Sequence, residues 1–104
     1  MMKIGGEGWD GELGGIVPVQ AEGFVDGNPF YFRARGEHWT MTIAQPGTDP
    51  VDWTASDGAG GWHRADHILY HHDEDYGEWP EAGYMELNVA EGFITRCIAE
   101  FRSQ

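Results

Sequence analysis

The sequence contains one cysteine, Cys97, and one lysine, Lys3, and it has no long run of apolar residues. A single cysteine excludes an internal disulfide, which is typical of proteins in reducing compartments, so we expect a cytoplasmic location. The amino-terminal segment MMKIGGEGWDGE lacks the apolar stretch of a signal peptide. No other segment is apolar for long enough to span a bilayer, so we expect no membrane association.

Basic residues are scarce. Six Lys and Arg stand against 18 Asp and Glu, which gives a formal net charge of −12 over 104 residues. Such a charge repels phosphate backbones and attracts basic surfaces, so we expect no direct binding to nucleic acid. The acidity is uneven, because eight acidic residues and no basic one lie between Arg64 and Arg96. A halophilic adaptation would spread the carboxylates over the whole surface.

Motifs for catalysis are also missing. The glycine-rich segments GGEG, GELGG and GAGG are followed neither by the Lys-Ser/Thr pair of a phosphate loop nor by a dinucleotide-binding fingerprint. Pairs of carboxylates are expected by chance at this acid content, so they do not by themselves indicate general acid–base chemistry. We therefore expect a protein that is not an enzyme and has no cofactor.

Aromatic residues and glycine are plentiful. Five Trp, five Phe and four Tyr argue against disorder despite the charge, and 16 Gly predict many turns and little helix. The length fits a single domain over residues 1–104. Residues 45–83 lack a clear periodicity and are predicted to be rich in loops, with a short strand or helical turn in HRADHILYHH.

Alternation of apolar and polar residues predicts an antiparallel meander of about four strands. The strands are expected at residues 2–9, 17–25, 29–35 and 37–44, with turns at 10–11, 27–28 and 36–37. The turn at 27–28 would pair Val25 with Phe30 and place Glu22 opposite Arg33. The turn at 36–37 pairs Phe32 with Met41 and Arg35 with His38. Both turns place the apolar side chains on one face of the sheet, which supports the assignment.

One helix is predicted, over residues 89–102. Its apolar residues recur at steps of three and four and are expected to be buried on the apolar face of the sheet; they are Phe93, Ile94, Cys97, Ile98 and Phe101. Asn88 followed by Glu91 resembles a capping box. Gly92 is expected to permit close packing on the sheet. The predicted fold class is α+β, with the helix packed on one face of the meander.

Histidines and aromatics suggest two further sites. His63, His67 and His71 would share one side of a helix and so could ligate zinc, but on a strand successive ones stand about 13 Å apart. We expect no metal. Cys97 lies on the apolar side of the predicted helix and is interpreted as packing. The aromatic residues of 53–84 either contact a ligand or partner or fasten the loops; they are Trp53, Trp62, Trp79, Tyr70, Tyr76 and Tyr84.

The acidic segment 71–91 is the strongest candidate for a binding surface. Its predicted partner-binding residues are Asp73, Glu74, Asp75, Tyr76, Glu78, Trp79 and Glu81. In size and charge, and in no sequence motif, the chain resembles the small acidic proteins that phages and mobile elements direct against host defences, such as DNA-mimic anti-CRISPR proteins. That resemblance implies an inhibitor that occupies the basic, nucleic-acid-binding surface of a partner protein. The alternatives are a general interaction or structural domain with an acidic, halophilic surface, and a small His-rich metal-binding domain.

Overall fold

The computed structural model describes residues 1–104, which form an antiparallel sheet with one α-helix on one face. The strands are β1 (Met2–Gly6), β2 (Trp9–Gly14), β3 (Val19–Val25), β4 (Asn28–Arg35), β5 (His38–Ala44), β6 (Thr54–Ser56), β7 (Trp62–Arg64) and β8 (Ile68–Asp75). A 3₁₀ helix spans Glu81–Tyr84 and the α-helix, α1, spans Leu87–Arg102.

The main sheet has six strands in the order β1-β2-β3-β4-β5-β8, and β6 and β7 form a separate hairpin. The predicted α+β class, the antiparallel sheet and the carboxy-terminal helix are therefore confirmed. The predicted number of about four strands is wrong for two reasons. The glycine-rich amino-terminal segment forms two strands. The loop-rich segment contributes β8, which pairs with β5 at the edge of the sheet, so the strand alternative for HRADHILYHH is the one observed.

The first turn lies earlier than predicted. Gly6 pairs with Trp9, so the chain reverses at Glu7-Gly8, and Asp10 and Gly11 belong to β2. Gly8 has a φ of +75°, a conformation that glycine adopts without steric cost. The Asp-Gly pair at residues 10–11 therefore lies within a strand, and Gly8 provides the turn instead.

The hairpin between β3 and β4 also differs from the prediction. Val25 pairs with Asn28, so the two loop residues are Asp26 and Gly27, with φ values of 51° and 82°. Two positive φ angles are typical of a type I′ turn, which Asp-Gly favours and which matches the twist of the strands. The register moves by two residues, so Glu22 lies opposite Tyr31 rather than Arg33. A shift of two keeps every side chain on its predicted face.

The hairpin between β4 and β5 is confirmed. Phe32 pairs with Met41 and Arg35 with His38 around the turn at 36–37. Phe32 and Met41 are completely buried, as the shared apolar face requires. We call this buried side the inner face and the opposite side, which carries Arg33 and Arg35, the outer face.

The core lies between the inner face and α1. Its largest fully buried side chains include Leu13, Phe30, Phe32, Trp39, Met41, Ile43 and Ile94. Removing side chains of this size from water stabilises the fold by about 1.5–3 kcal/mol each. The predicted burial of Ile94, Cys97 and Ile98 is confirmed, but Phe93 and Phe101 are only partly buried because they lie at the margin of the interface.

Helix α1 begins two residues before its predicted start. The amides of Val89 and Ala90 both donate to the carbonyl of Glu86, which is the N-cap, and no side chain caps the helix. The predicted capping box at Asn88 is therefore wrong. Gly92 is exposed and a methyl group there would meet open space, so the predicted close packing at Gly92 is wrong too. At 16 residues and with one polar side, α1 does not meet the requirements of a membrane-spanning helix.

Candidate functional site: an acidic surface around Trp79

The acidic segment begins in a strand. Asp73, Glu74 and Asp75 lie in β8, opposite Thr40, Trp39 and His38 of β5. They were predicted to lie on a loop, which is wrong, because the apolar Ile68 and Tyr70 draw the segment into the sheet. Because side chains alternate along a strand and Glu74 lies opposite the buried Trp39, Asp73 and Asp75 lie on the outer face of β8, which is an edge strand. Charged residues at such an edge oppose pairing with further strands.

Glu74 points to the other side of the sheet and is neutralised there. Its carboxylate lies 3.0 Å from Nε2 of His72 and accepts a hydrogen bond from Nη2 of Arg96 in α1. The hydrogen bonds from His72 and Arg96 lower the pKa of Glu74 below its ordinary value. Glu74 therefore joins β8 to α1, and its charge is not free for a partner.

The segment after β8 is docked on the β4–β5 turn. The amide of Tyr76 donates to the carbonyl of Glu37 over 2.6 Å, and the amide of Ala82 donates to the carbonyl of Gly36 over 3.0 Å. The ring of Tyr76 is partly buried and lies edge-on to Phe93, with centroids 6.0 Å apart. Tyr76 thus fastens the segment to the core, and the backbone hydrogen bonds fix its path.

Trp79 is held on this segment with most of its ring in solvent. It packs over Gly36, where a methyl group would come within 3.0 Å of the indole, yet the residue is 65% exposed. A large aromatic ring that is fixed but exposed is typical of interaction surfaces. The surrounding surface, which we call the Trp79 surface, consists of Glu37, Asp73, Asp75, Glu78, Trp79 and Glu81.

The carboxylates of the Trp79 surface lack strong cationic partners. None of the five forms an ion pair with Lys or Arg, and only Asp73 lies near a histidine, with its Oδ1 3.5 Å from Nδ1 of His38. All five residues are exposed. Three other carboxylates are paired with arginine, those of Asp26, Glu74 and Glu100, and Arg102 lowers the pKa of the Asp26 carboxyl. The negative charge of the Trp79 surface is therefore uncompensated.

The histidines do not converge. His63 is exposed on β7, and Nε2 of His67 lies 3.2 Å from the carbonyl oxygen of Asp49. The His71 ring stacks on Trp53 with centroids 3.8 Å apart, and its Nδ1 lies 2.8 Å from the hydroxyl oxygen of Thr42. No three His, Cys, Asp or Glu side chains of the chain are grouped as metal ligands.

The other sequence candidates are divided between the core and the surface. Tyr70 is buried and its hydroxyl donates to Glu100 over 2.7 Å, whereas Trp62 and Tyr84 are largely exposed. Cys97 is completely buried, and burial raises the pKa of its thiol to about 11. Tyr70 and Cys97 therefore pack in the core. Trp62 and Tyr84 are exposed but do not belong to the Trp79 surface.

Sequence reasoning missed two features of this end of the molecule. Glu37 joins the acidic surface although it is 36 residues before Asp73, because the docked segment returns to its turn. A groove of about 640 Å³ also runs along the outer face beside Trp79, and Arg33 and Arg35 line it. Strand alternation predicts both arginines on the polar face, either as cross-strand partners of Glu22 and His38 or as an anion-binding patch, but it does not predict the groove.

Comparison of the chain with protein-family models, curated proteins and solved structures found no match.

Proposed function

We propose that this protein is an inhibitor that binds a basic, nucleic-acid-binding surface of a partner protein through the Trp79 surface. The observation that carries the proposal is the group of five exposed carboxylates, none of which forms an ion pair with Lys or Arg, around a fixed and exposed indole. Carboxylates and phosphates both accept the paired N–H groups of arginine, so the first can occupy the sites of the second.

The edge strand supports this mimicry by its spacing. Asp73 and Asp75 lie on one face of β8, two residues and therefore about 7 Å apart along the strand. Two carboxylates spaced regularly along one face of a strand can be met by neighbouring guanidinium groups in a groove lined by arginine.

Affinity also needs an apolar contact, which Trp79 supplies. Tryptophan is enriched among the residues that dominate binding energy, whereas exposed charges chiefly accelerate association and set its specificity. The backbone hydrogen bonds from Tyr76 and Ala82 hold the segment before binding. Less conformational entropy is then lost when the complex forms.

The test is competition with nucleic acid. The chain is immobilised and used to capture proteins from a nuclease-treated lysate of the organism that carries the gene, and each captured protein is purified. The binding of each captured protein to DNA or RNA is then measured in the presence of increasing amounts of the acidic protein. We expect displacement of the nucleic acid and weaker binding of the inhibitor as salt rises, since exposed charges act over about 8 Å at 0.15 M salt.

Two matched variants locate the surface. Asp73→Lys, Asp75→Lys and Glu78→Lys together should weaken binding at least about tenfold, or 1.4 kcal/mol. The control reverses Asp10, Glu12 and Glu22, which lie on β2 and β3 at the other side of the outer face and give the same change in net charge. Equal losses in both variants, or simultaneous binding of nucleic acid and this protein to the partner, would refute the proposal.

A further inference from the structure

Two arginines stand out on the outer face because they have no partner. Arg33 and Arg35 are both exposed on the same side of β4, and neither forms an ion pair or donates a hydrogen bond to another side chain. Lys3 and Arg64 also lack an ion pair, whereas Arg96 binds Glu74 and Arg102 binds Asp26. Arg33 and Arg35 differ from Lys3 and Arg64 because they line one groove together. The two free guanidinium groups form a local positive site on a negative protein.

The groove around them is lined by aromatic and polar side chains, and we call Trp53 and Trp79 its tryptophan walls. The lining includes Tyr31, Arg33, Arg35, Thr40, Trp53 and Trp79. Its volume, about 640 Å³, lies within the range of about 300–1,000 Å³ that is usual for sites of small ligands. Glu37, His38 and Asp73 also line the groove. Oδ1 of Asp73 lies 3.5 Å from Nδ1 of His38, and Asp73 forms no ion pair with Arg33 or Arg35.

Tertiary contacts fix both tryptophan walls. The Trp53 ring stacks on His71, and His71 is in turn bound to the buried Thr42. On the other side Trp79 rests on Gly36. The hydroxyl of Tyr31 donates to Oε1 of Gln20 over 3.1 Å. The groove is therefore largely formed before a ligand arrives, which reduces the ordering that binding requires.

We propose that this groove binds a nucleoside monophosphate, with the phosphate on Arg33 and Arg35 and the base against a tryptophan wall. Two guanidinium groups offer ten N–H donors in planar forks, and phosphate, with three terminal oxygens, can accept more of them than a carboxylate can. Planar bases stack on aromatic side chains irrespective of their identity. The proposal does not rest on the proposed function, although Glu37, Asp73 and Trp79 belong to both sites.

The charge of the protein restricts the ligand to a small anion. A net charge of −12 and the nearby Glu37 and Asp73 oppose a polymer, whose further phosphates would lie outside the reach of the two arginines. A single phosphate group can be neutralised entirely by Arg33 and Arg35. We therefore expect the groove to bind a mononucleotide and not a nucleic-acid chain.

The test is calorimetric titration of the purified full chain at low salt with AMP and UMP, and with adenosine, inorganic phosphate and a short oligonucleotide for comparison. We expect dissociation constants below about 1 mM for the two nucleotides. Adenosine, phosphate and the oligonucleotide should each bind at least tenfold more weakly. If inorganic phosphate binds as tightly as AMP, the tryptophan walls do not contribute to binding and the proposal is wrong.

Variants assign the contacts. The double variant Arg33→Gln, Arg35→Gln should weaken AMP binding at least tenfold, and Trp79→Ala or Trp53→Ala should weaken AMP binding without changing the weak binding of phosphate. Arg64→Gln, on the exposed β7 outside the groove, removes a positive charge as a control and should leave binding unchanged. Unchanged far-ultraviolet circular dichroism establishes folding of each variant. Nucleotide affinity that survives the double arginine change, or no heat with AMP up to 10 mM, would overturn the proposal.

Discussion

The rings of Trp39 and Phe93 stack face to face, with their centroids 4.5 Å apart and their planes inclined by 21°. Trp39 is completely buried in β5 and Phe93 is partly buried on α1, so this contact joins β5 to the helix. The guanidinium of Arg96 lies over both rings, 5.4 Å and 5.1 Å from their centroids. Aromatic stacking and a cation–π contact thus hold α1 to the sheet beside the site.

Replacing Phe93 by alanine should lower the free energy of unfolding by about 2 kcal/mol, less than the roughly 3–5 kcal/mol of a fully buried ring. The stack is lost, but the partly exposed site leaves no closed cavity. Urea titration followed by circular dichroism measures the change. Thr95→Ala on the exposed side of α1 is the control and should alter stability by less than about 0.5 kcal/mol. Equal effects of both substitutions would contradict the role of Phe93.

Two glycines should respond in opposite directions to replacement by alanine. Gly92→Ala should raise the unfolding free energy by about 0.5–1 kcal/mol, because the added methyl meets open space and alanine favours the helix. Gly23→Ala should strongly destabilise the fold, because the methyl would overlap the carbonyl oxygen of Asp10 and approach Cα of Gly11 to 2.5 Å. Thermal denaturation of the two variants measures both effects. A stable Gly23→Ala protein would show that β2 and β3 do not approach so closely.

Cys97 should react slowly with thiol reagents in the native protein. Its side chain is completely buried, and burial raises the pKa of the thiol from 9.0 to about 11. The reactive thiolate is therefore about 100-fold scarcer at pH 8 than in an unfolded chain. Labelling rates in native buffer and in urea give the comparison. The double variant Cys97→Ala, Ser103→Cys provides an exposed thiol as control, and rapid labelling of native Cys97 would contradict its burial.

Stability should fall below neutral pH in a way that depends on His71. Burial lowers the pKa of His71 below its ordinary value of 6.5. The unfolded chain therefore takes up the proton near pH 6.5, whereas the folded chain does so only at lower pH. The contribution of His71 is present in full above about pH 6.5 and is lost as the pH falls below that value.

Urea titrations at pH 7.5, 6.5 and 5.5 measure this dependence. His71→Phe keeps a ring to stack on Trp53 and should flatten the profile, although it removes the partner of Thr42 and lowers stability at every pH. His63→Phe, on the exposed β7, is the matched control and should retain the slope of the wild-type protein. Parallel profiles for all three proteins would show that another group causes the acid sensitivity.

Much of the sheet was predictable because strand patterns are local. Alternation in β3, β4 and β5 assigned Phe32 and Met41 to the inner face, and the error of two residues in the β3–β4 register preserved that assignment. The helix was predictable from its three- and four-residue spacing. Its start was not, because Glu86 becomes the N-cap through the path of the preceding 3₁₀ helix rather than through a capping side chain.

The candidate site was less predictable than the fold. The sequence predicts that the carboxylates of residues 73–81 are exposed. Glu74 is neutralised by Arg96 and Tyr76 is packed on Phe93, and both contacts cross from one element to another. The same holds for Glu37, which reaches the acidic surface only because Tyr76 bonds to its carbonyl. Local periodicity contains no information about such contacts.

The sequence by itself determined the net charge, the uneven distribution of acids, the antiparallel meander and the amphipathic helix, because composition and short-range periodicity suffice for each. The tertiary structure alone decided that β8 closes the edge of the sheet, that Trp79 rests on Gly36, and that Arg33 and Arg35 face a groove without a partner. The physical reason is that pairing of charges and docking of loops depend on distances between residues far apart in the chain. Those distances are set by packing of the whole sheet against α1. The ion pair between Arg102 of α1 and Asp26 of the β3–β4 turn is an example, because the two residues are 76 positions apart in the chain.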